Sequence, residues 1–325
     1  MNKIKNLADE IIFGRRLSRN DDLKFIIAAD LDTLCSEADR IRTELCGNHA
    51  SLCTIINARS GKCSENCKFC AQSACHNTGI SEYGFLDEKE ILAECRRNAE
   101  KGINRFSVVT AGRALTGKDF NKAISIFKTL KKECNTGLCA SLGLLNEEQF
   151  AELYQSGVRV YHCNLETSRR NFPNICTTHT FDDKLACIRT AQKCGLSVCS
   201  GGIIGMGESW EDRLDMALDL AELNIRSIPI NVLKPIKGTP LGGVSQISKN
   251  DILRTVAMFR FIIPEAFIRL AAGRETLENS GEQAFRSGAN AAITGDMLTT
   301  TGSNIRSDIE MLEKIGFEIS YCSTN

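Results

Sequence analysis

The sequence predicts an α/β protein, a (β/α)8 TIM-type barrel with an N-terminal helical cap. Three features carry this expectation. Short apolar runs rich in Val, Ile and Ala recur along the chain, and each is followed by a longer charged segment with helical periodicity. Several of those segments close on Gly, the residue that best tolerates the conformation at a helix C-terminus. The 325 residues exceed an ordinary single core, but barrels of this class reach that length as one domain.

The elements follow in order. Residues 9–18, DEIIFGRRLS, and 21–46, DDLKFIIAADLDTLCSEADRIRTELC, read as helices ahead of the first strand. They define a cap over residues 1–45 and leave 46–325 for the barrel. Eight strands are expected: SLCTIIN (51–57), RFSVVT (105–110), GLCASL (137–142), RVYHCNLE (159–166), LSVCSGG (196–202), SIPINVL (227–233), AFIRLA (266–271) and NAAITG (290–295). Between them lie helical segments such as DEKEILAECRRNAEKG (87–102), DFNKAISIFKTLKKE (119–133), NEEQFAELYQSG (146–157) and WEDRLDMALDLAELN (210–224). Alternating β and α units imply a parallel sheet, and eight of them imply closure. No low-complexity linker or short repeat interrupts the pattern.

Forty basic residues balance forty acidic ones, so no global field favours nucleic acid or a membrane surface, and a small-molecule partner is expected. The opening MNKIKNLADEIIFGRRLSRND lacks the apolar run of a signal peptide, and no segment approaches membrane-spanning length. Sixteen cysteines in so long a chain then point to a cytoplasmic protein with reduced thiols, most of them small buried hydrophobes.

The exception is CSENCKFC, where Cys63, Cys67 and Cys70 are separated by three and then two residues, directly after the first strand. In a barrel of this class that is the catalytic end. A structural zinc site wants four ligands, and the fourth would have to come from Cys75 or His76, which read as surface-loop residues. Three thiolates suit a four-iron cube instead, with the last iron open to a small molecule.

The C-x3-C-x2-C spacing, with an aromatic before its last cysteine, resembles the radical S-adenosylmethionine superfamily. NARSGKCSENCKFCAQS, YHCNLETS, CSGGIIGMGE, SIPINVLKPIKGTPL, IRLAAGRE and LTTTG together resemble the biotin synthase family, in order and from about residue 10 onward. The resemblance implies a sulfurtransferase that inserts sulfur into dethiobiotin. It implies that Cys63, Cys67 and Cys70 bind a [4Fe-4S] cluster whose open iron is chelated by S-adenosylmethionine, and that reductive cleavage of the sulfonium yields a 5'-deoxyadenosyl radical. An electron donor such as flavodoxin or ferredoxin and a homodimer are implied; neither nucleic acid nor a membrane is an expected partner.

In YHCNLETS, alternation sends His162, Asn164 and Glu166 to one face and Cys163 to the other. The resemblance puts Asn164 and Glu166 near the S-adenosylmethionine ribose, Lys184 near its carboxylate, and His162, Asn164 and Asn231 near substrate. Asn231 matches the partner of the ureido ring; Arg59, Thr300 and Thr301 match partners of the carboxylate tail. His162 and Glu166 stand where Asn and Asp are expected, and Lys184 where Arg is frequent. The glycines of CSGGIIGMGE lack both the dinucleotide spacing and a P-loop lysine, so they read as a close backbone approach to a cofactor.

The family also uses an auxiliary cluster, commonly [2Fe-2S] on three cysteines and an arginine. Cys139, Cys199 and Arg269 match, but Ser107 replaces the remaining cysteine and is a poor ligand for iron. Cys53 in the first strand is the expected substitute, with Cys163 as its rival. Cys53, Cys139 and Cys199 would then hold a four-iron auxiliary cluster carrying an extra sulfide, with Arg269 as a neighbouring cation. Cys95, Cys134, Cys187 and Cys194 read as helix packing residues, Cys176 as a loop residue and Cys322 as terminal. The alternatives are another radical S-adenosylmethionine barrel of hydrogenase-maturation or methylornithine-forming type, and a passive iron–sulfur carrier.

Overall fold

The structure is a computed structural model that describes residues 3–295 and 304–319. Thr300, Thr301 and Cys322 lie outside the described residues. The chain opens with α1 (Lys3–Ile12), α2 (Lys24–Ile27) and α3 (Leu31–Cys46). The first helix therefore starts earlier than the sequence suggests and stops sooner, because Gly14 adopts a positive φ of 107° and turns the chain. The second expected helix is broken in two: the Asp30 carboxylate accepts the Thr33 N–H at 2.9 Å and starts α3 afresh. Leu34, Ala38 and Ile41 are the buried stripe of α3, which packs on α1 and on the barrel helix Lys249–Ile262.

The barrel strands are β1 (His49–Arg59), β2 (Arg105–Thr110), β3 (Gly137–Ser141), β4 (Val160–His162), β5 (Ser197–Cys199), β6 (Gly202–Ile204), β7 (Ser227–Val232), β8 (Phe267–Leu270) and β9 (Ala291–Ile293). All pairings are parallel, and β1 pairs with both β2 and β9, so the sheet closes. The eight expected strands match eight barrel positions, the fifth being shared by β5 and β6, which both pair with β7. A short β10 (Glu318–Ile319) extends the start of β1. Between strands run α4 (Glu88–Glu100), α5 (Gly117–Glu133), α6 (Glu147–Gln155), α7 (Phe172–Ile175), α8 (Phe181–Lys193), α9 (Trp210–Glu222), α10 (Lys249–Ile262), α11 (Glu282–Phe285) and α12 (Ile305–Lys314). Among the described residues no helix is long and apolar enough to cross a membrane.

The interruption between β5 and β6 has a steric cause. A Cβ on Gly201 would fall 2.0 Å from Pro229 O, and one on Gly202 would fall 2.4 Å from Met216 Sδ and 2.5 Å from Glu166 O. These glycines were expected to admit a cofactor; the backbone they admit is the protein's own, from β7 and from the turn after β4.

Candidate active site

The loop after β1 is fixed before any ligand enters. Gly61 and Lys62 turn it with φ of 79° and 54°, the Cys63 N–H donates to Gln72 O at 3.0 Å, and the Ala74 N–H donates to Cys63 O at 2.8 Å. Cys70 donates its N–H to Cys67 O at 3.0 Å, closing a turn between the two thiols. All three cysteines are half-buried and border one cavity of ≈ 390 Å³, a size suited to small molecules. Burial pushes the Cys70 thiol up to about 11. Phe69 also borders the cavity and packs with Ile175, Met206 and Leu233. Cys75 is exposed, and His76 Nε2 lies 3.1 Å from Cys67 O, so neither is placed as a fourth ligand.

Across the cavity stand His162, Asn164, Glu166, Lys184 and Asn231. The strict alternation expected for this stretch ends with β4 at His162, and Glu166 adopts a positive φ of 73°. Cys163 still points away from the barrel interior, as alternation requires: its sulfur lies against Cys187 of α8 in the core between strands and helices. Asn164 Oδ1 accepts the Gly201 N–H at 3.1 Å, and its Nδ2 donates to Glu166 at 3.3 Å. Burial works against the Lys184 charge, but Cys163, Glu166 and Cys67 outweigh it and hold its pKa up at about 12. Burial lowers the His162 pKa. Asn231 Nδ2 donates to Gly202 O and its Oδ1 accepts from the Ala272 N–H, both at 3.2 Å. The amide is thereby oriented, with one N–H and one lone pair to spare.

Arg59 does not border the cavity. Its Nε donates to Ala111 O at 2.9 Å and its Nη1 contacts Asp119 at 3.4 Å, tying the end of β1 to the loop after β2. It packs against Gly112, which does border the cavity and where a Cβ would meet the guanidinium at 2.3 Å.

A second set of thiols lies below. Ile55 and Ser107 border the cavity, and period-2 alternation places Cys53 and Arg105 on the same inner face one step down. Cys53 lies in register with Arg105 and Ile293, Cys139 with Ser107 and Val160, and Cys199 with His162 and Ser227. All three cysteines are buried and feel one another's charge. Burial pushes Cys139 up to about 12, against Arg105 and a hydrogen bond from Ser107. Burial also raises Cys53, while Arg269 and Arg105 pull it down. Arg269 is 1% exposed; its Nη1 donates to Ser51 O and Ala292 O, each at 3.0 Å, and its Nη2 to Ser51 Oγ at 3.1 Å. Its Nε lacks a partner of ordinary hydrogen-bond geometry among the described residues.

Sequence reasoning missed three groups here: Arg105, and Cys176 and His179, which arrive beside Cys67 from the loop between α7 and α8. The C-x2-H spacing of Cys176 and His179 was the available signal. Cys176 Sγ lies 3.7 Å from Cys67 Sγ and 3.3 Å from His179 Nδ1; Cys67 and His179 border the cavity and Cys176 does not. The hydrogen bond from Cys67, helped by His179 and Thr178, draws Cys176 down to about 3 and pushes Cys67 up.

The donor sets fit iron–sulfur clusters: three thiols around one cavity edge, and three more packed against two guanidinium groups. Residues 58–220 match the radical SAM superfamily, and residues 229–318 match the biotin and thiamin synthesis associated domain. The chain is 59% identical to a biotin synthase of Clostridium beijerinckii over 97% of this chain and 100% of that one. It is 60% identical to a biotin synthase of Alkaliphilus metalliredigens, over 97% and 99%. In fold it is similar to the crystal structure of methylornithine synthase, with a TM-score of 0.84 at 20% identity over 97% of each chain.

Proposed function

The chain belongs to the biotin synthase family, and from that membership we propose how its own residues divide the work of the family's reaction. The protein is a radical S-adenosylmethionine sulfurtransferase that inserts sulfur from an auxiliary iron–sulfur cluster into dethiobiotin to give biotin. It uses a [4Fe-4S] cluster, S-adenosylmethionine and an electron donor. When bound, the loop cluster and S-adenosylmethionine supply the carbon radical that takes hydrogen from unactivated positions of dethiobiotin.

Cys63, Cys67 and Cys70 hold the loop cluster, and three thiols leave one iron for the cofactor. Lys184 faces the cofactor carboxylate, and Asn164 and Glu166 face its ribose. His162 stays neutral, because burial lowers its pKa, and presents hydrogen-bonding nitrogens to substrate without adding charge. Asn231, fixed at 3.2 Å on both sides, offers its spare N–H and lone pair to the ureido ring. Thr300 and Thr301 are assigned to the carboxylate tail on the resemblance; Arg59, matched to the same tail, lies behind Gly112 and would have to turn from Ala111 O to reach it. Apolar neighbours, Ile55, Val109 and Ile293 among them, keep water from the reacting positions.

Cys53, Cys139 and Cys199 hold the auxiliary cluster, which we read as a four-iron cube with an extra, transferable sulfide. The arrangement of Arg269 supports this over a [2Fe-2S] unit. Its Nη1 is held by Ser51 O and Ala292 O and its Nη2 by Ser51 Oγ, which anchors the guanidinium as a charged neighbour whose Nε and remaining Nη2 N–H can donate toward the cluster. Ser107 supports Cys139 by hydrogen bonding instead of replacing a thiolate. Residues 1–45 form a cap on the barrel of 46–325, two copies pair as a homodimer, and flavodoxin or ferredoxin delivers electrons in the cytoplasm.

The observation that carries this reading is the stacking of two three-thiol sets at two depths of one barrel, the upper set bordering a cavity and the lower set buried beneath it. Its test is anaerobic incubation of the iron- and sulfide-reconstituted chain with dethiobiotin, S-adenosylmethionine and reductant. Biotin and 5'-deoxyadenosine should appear together; 5'-deoxyadenosine without biotin would reject the sulfur-insertion role.

A further inference from the structure

Beside the loop cysteines, at the edge of the cavity, four donor groups from two loops meet. We propose that Cys67, Cys176, His179 and Glu65 form a mononuclear site for a thiophilic divalent metal of the zinc type, open when the loop does not hold its cluster. The donor atoms of Cys67, Cys176 and His179 all lie within 4.8 Å of one another. Tetrahedral zinc, with bonds of about 2.3 Å to sulfur and about 2.0 Å to nitrogen, holds two sulfurs roughly 3.8 Å apart and a sulfur and nitrogen roughly 3.5 Å apart. The corresponding separations here are 3.7 Å between the sulfurs and 3.3 Å from Cys176 Sγ to His179 Nδ1. These two separations match those of a ligated ion.

The fourth donor is Glu65, whose Oε2 lies 2.6 Å from His179 Nδ1. On metal entry that hydrogen bond opens, and the shared proton leaves with the thiol protons. The carboxylate is aimed by Thr178 Oγ1, which donates to it at 2.8 Å, and by Arg113 Nη1 at 3.3 Å. Asn66 holds the opposite loop by accepting the Thr177 N–H at 3.0 Å. Glu65, Cys176 and His179 are each less than a tenth exposed, and Glu65, Cys67 and His179 border the cavity, which gives the ion an entry path. Two thiols with an imidazole favour zinc over the hard divalent ions.

The site shares Cys67 with the loop cluster, so the two occupants exclude each other. Zinc bound here holds the cluster-free enzyme in a folded but inactive form and must leave before the cluster is built. The exclusion rests on the assignment of Cys67 to the cluster; the metal site does not, and the test separates them.

The full chain, freed of iron by chelation under reducing anaerobic conditions, is titrated with Co²⁺ and then with Zn²⁺. We expect one cobalt per chain, with a thiolate-to-cobalt charge-transfer band and the intense visible bands of a tetrahedral ion, discharged by one equivalent of Zn²⁺. Cys176→Ser and His179→Gln should each weaken cobalt binding by about tenfold or more. Cys63→Ser should leave the spectrum unchanged, and circular dichroism of each variant checks that it is folded. A spectrum lost in Cys63→Ser but kept in Cys176→Ser would place the ion on the loop triplet and overturn the site. A weak octahedral spectrum would overturn it equally. In the second arm, prior zinc should slow the growth of cluster absorbance during reconstitution of the parent but not of Cys176→Ser. Equal rates in parent and variant, with the cobalt site intact, would remove the exclusion and leave the metal site standing.

Discussion

Beneath the cavity, three buried thiols face two guanidinium groups, and this local chemistry decides what the barrel can hold. Burial raises the thiols of Cys53 and Cys139, Arg105 pulls both down and Arg269 joins it at Cys53, so a bound metal is needed to hold them as thiolates. Moving the thiol of Cys53 to position 107, with Cys53→Ser and Ser107→Cys together, should restore the more usual ligand set. The auxiliary signal in Mössbauer spectra should change from four-iron to two-iron, and total iron should fall from about eight to about six per chain. At the cavity edge, any of Cys63→Ala, Cys67→Ala or Cys70→Ala should abolish 5'-deoxyadenosine formation, since a cube missing one thiolate loses its open iron. Asn231→Ala removes one urea partner and should raise the KM for dethiobiotin by about tenfold, roughly 1.4 kcal/mol, while uncoupled cofactor cleavage persists. These residues were legible because each sits in a quoted motif. Cys176 and His179 were not, since they lie over a hundred positions from Cys67 in sequence and meet it only through the loop ahead of α8.

At the scale of elements, the interval between β5 and β6 is the least tolerant part of the barrel. Gly201→Ala would drive a Cβ to 2.0 Å from Pro229 O, against backbone that cannot yield. It should cost about 3 kcal/mol, read as a lowered denaturation midpoint of the cluster-free chain. Helix α9 gives a pH-dependent case. Burial opposes the charge of Asp212, but hydrogen bonds from Ser168 and Ser209 and the Arg170 guanidinium outweigh it and hold its pKa down at about 2. Because the folded value lies below the unfolded 3.8, this stabilisation is complete above about pH 4 and is lost as pH falls toward 2. Asp212→Asn should therefore destabilise the chain by about 2 kcal/mol at pH 7, and the gap to the parent should close as pH drops below 4. The eight strands were readable from apolar runs bounded by turns. The limits of α1 and the break ahead of α3 were not, because Gly14 and Asp30 act through local backbone geometry that apolar periodicity does not register.

On the scale of the whole molecule, closure of the sheet places the loop thiols and the inner thiols at opposite depths of one interior. Three bands of side chains follow down the barrel: Cys63, Cys67 and Cys70 at the cavity edge, the polar set around Asn164 and Asn231 across it, and Cys53, Cys139 and Cys199 below. A substrate held in the middle band would face an oxidant on one side and a sulfur source on the other. The family motifs made this order legible in the chain; the depth of each band was not, since it depends on strand tilt and register. The central claim is that the sulfur in the product comes from the cluster on the inner thiols. The chain is reconstituted with isotopically heavy sulfide, freed of unbound sulfide, and given dethiobiotin, S-adenosylmethionine and reductant for a single turnover in medium containing only ordinary sulfide. Mass spectrometry should find the heavy isotope in biotin, and the label should disappear in Cys139→Ala; biotin carrying ordinary sulfur from the medium would contradict the account.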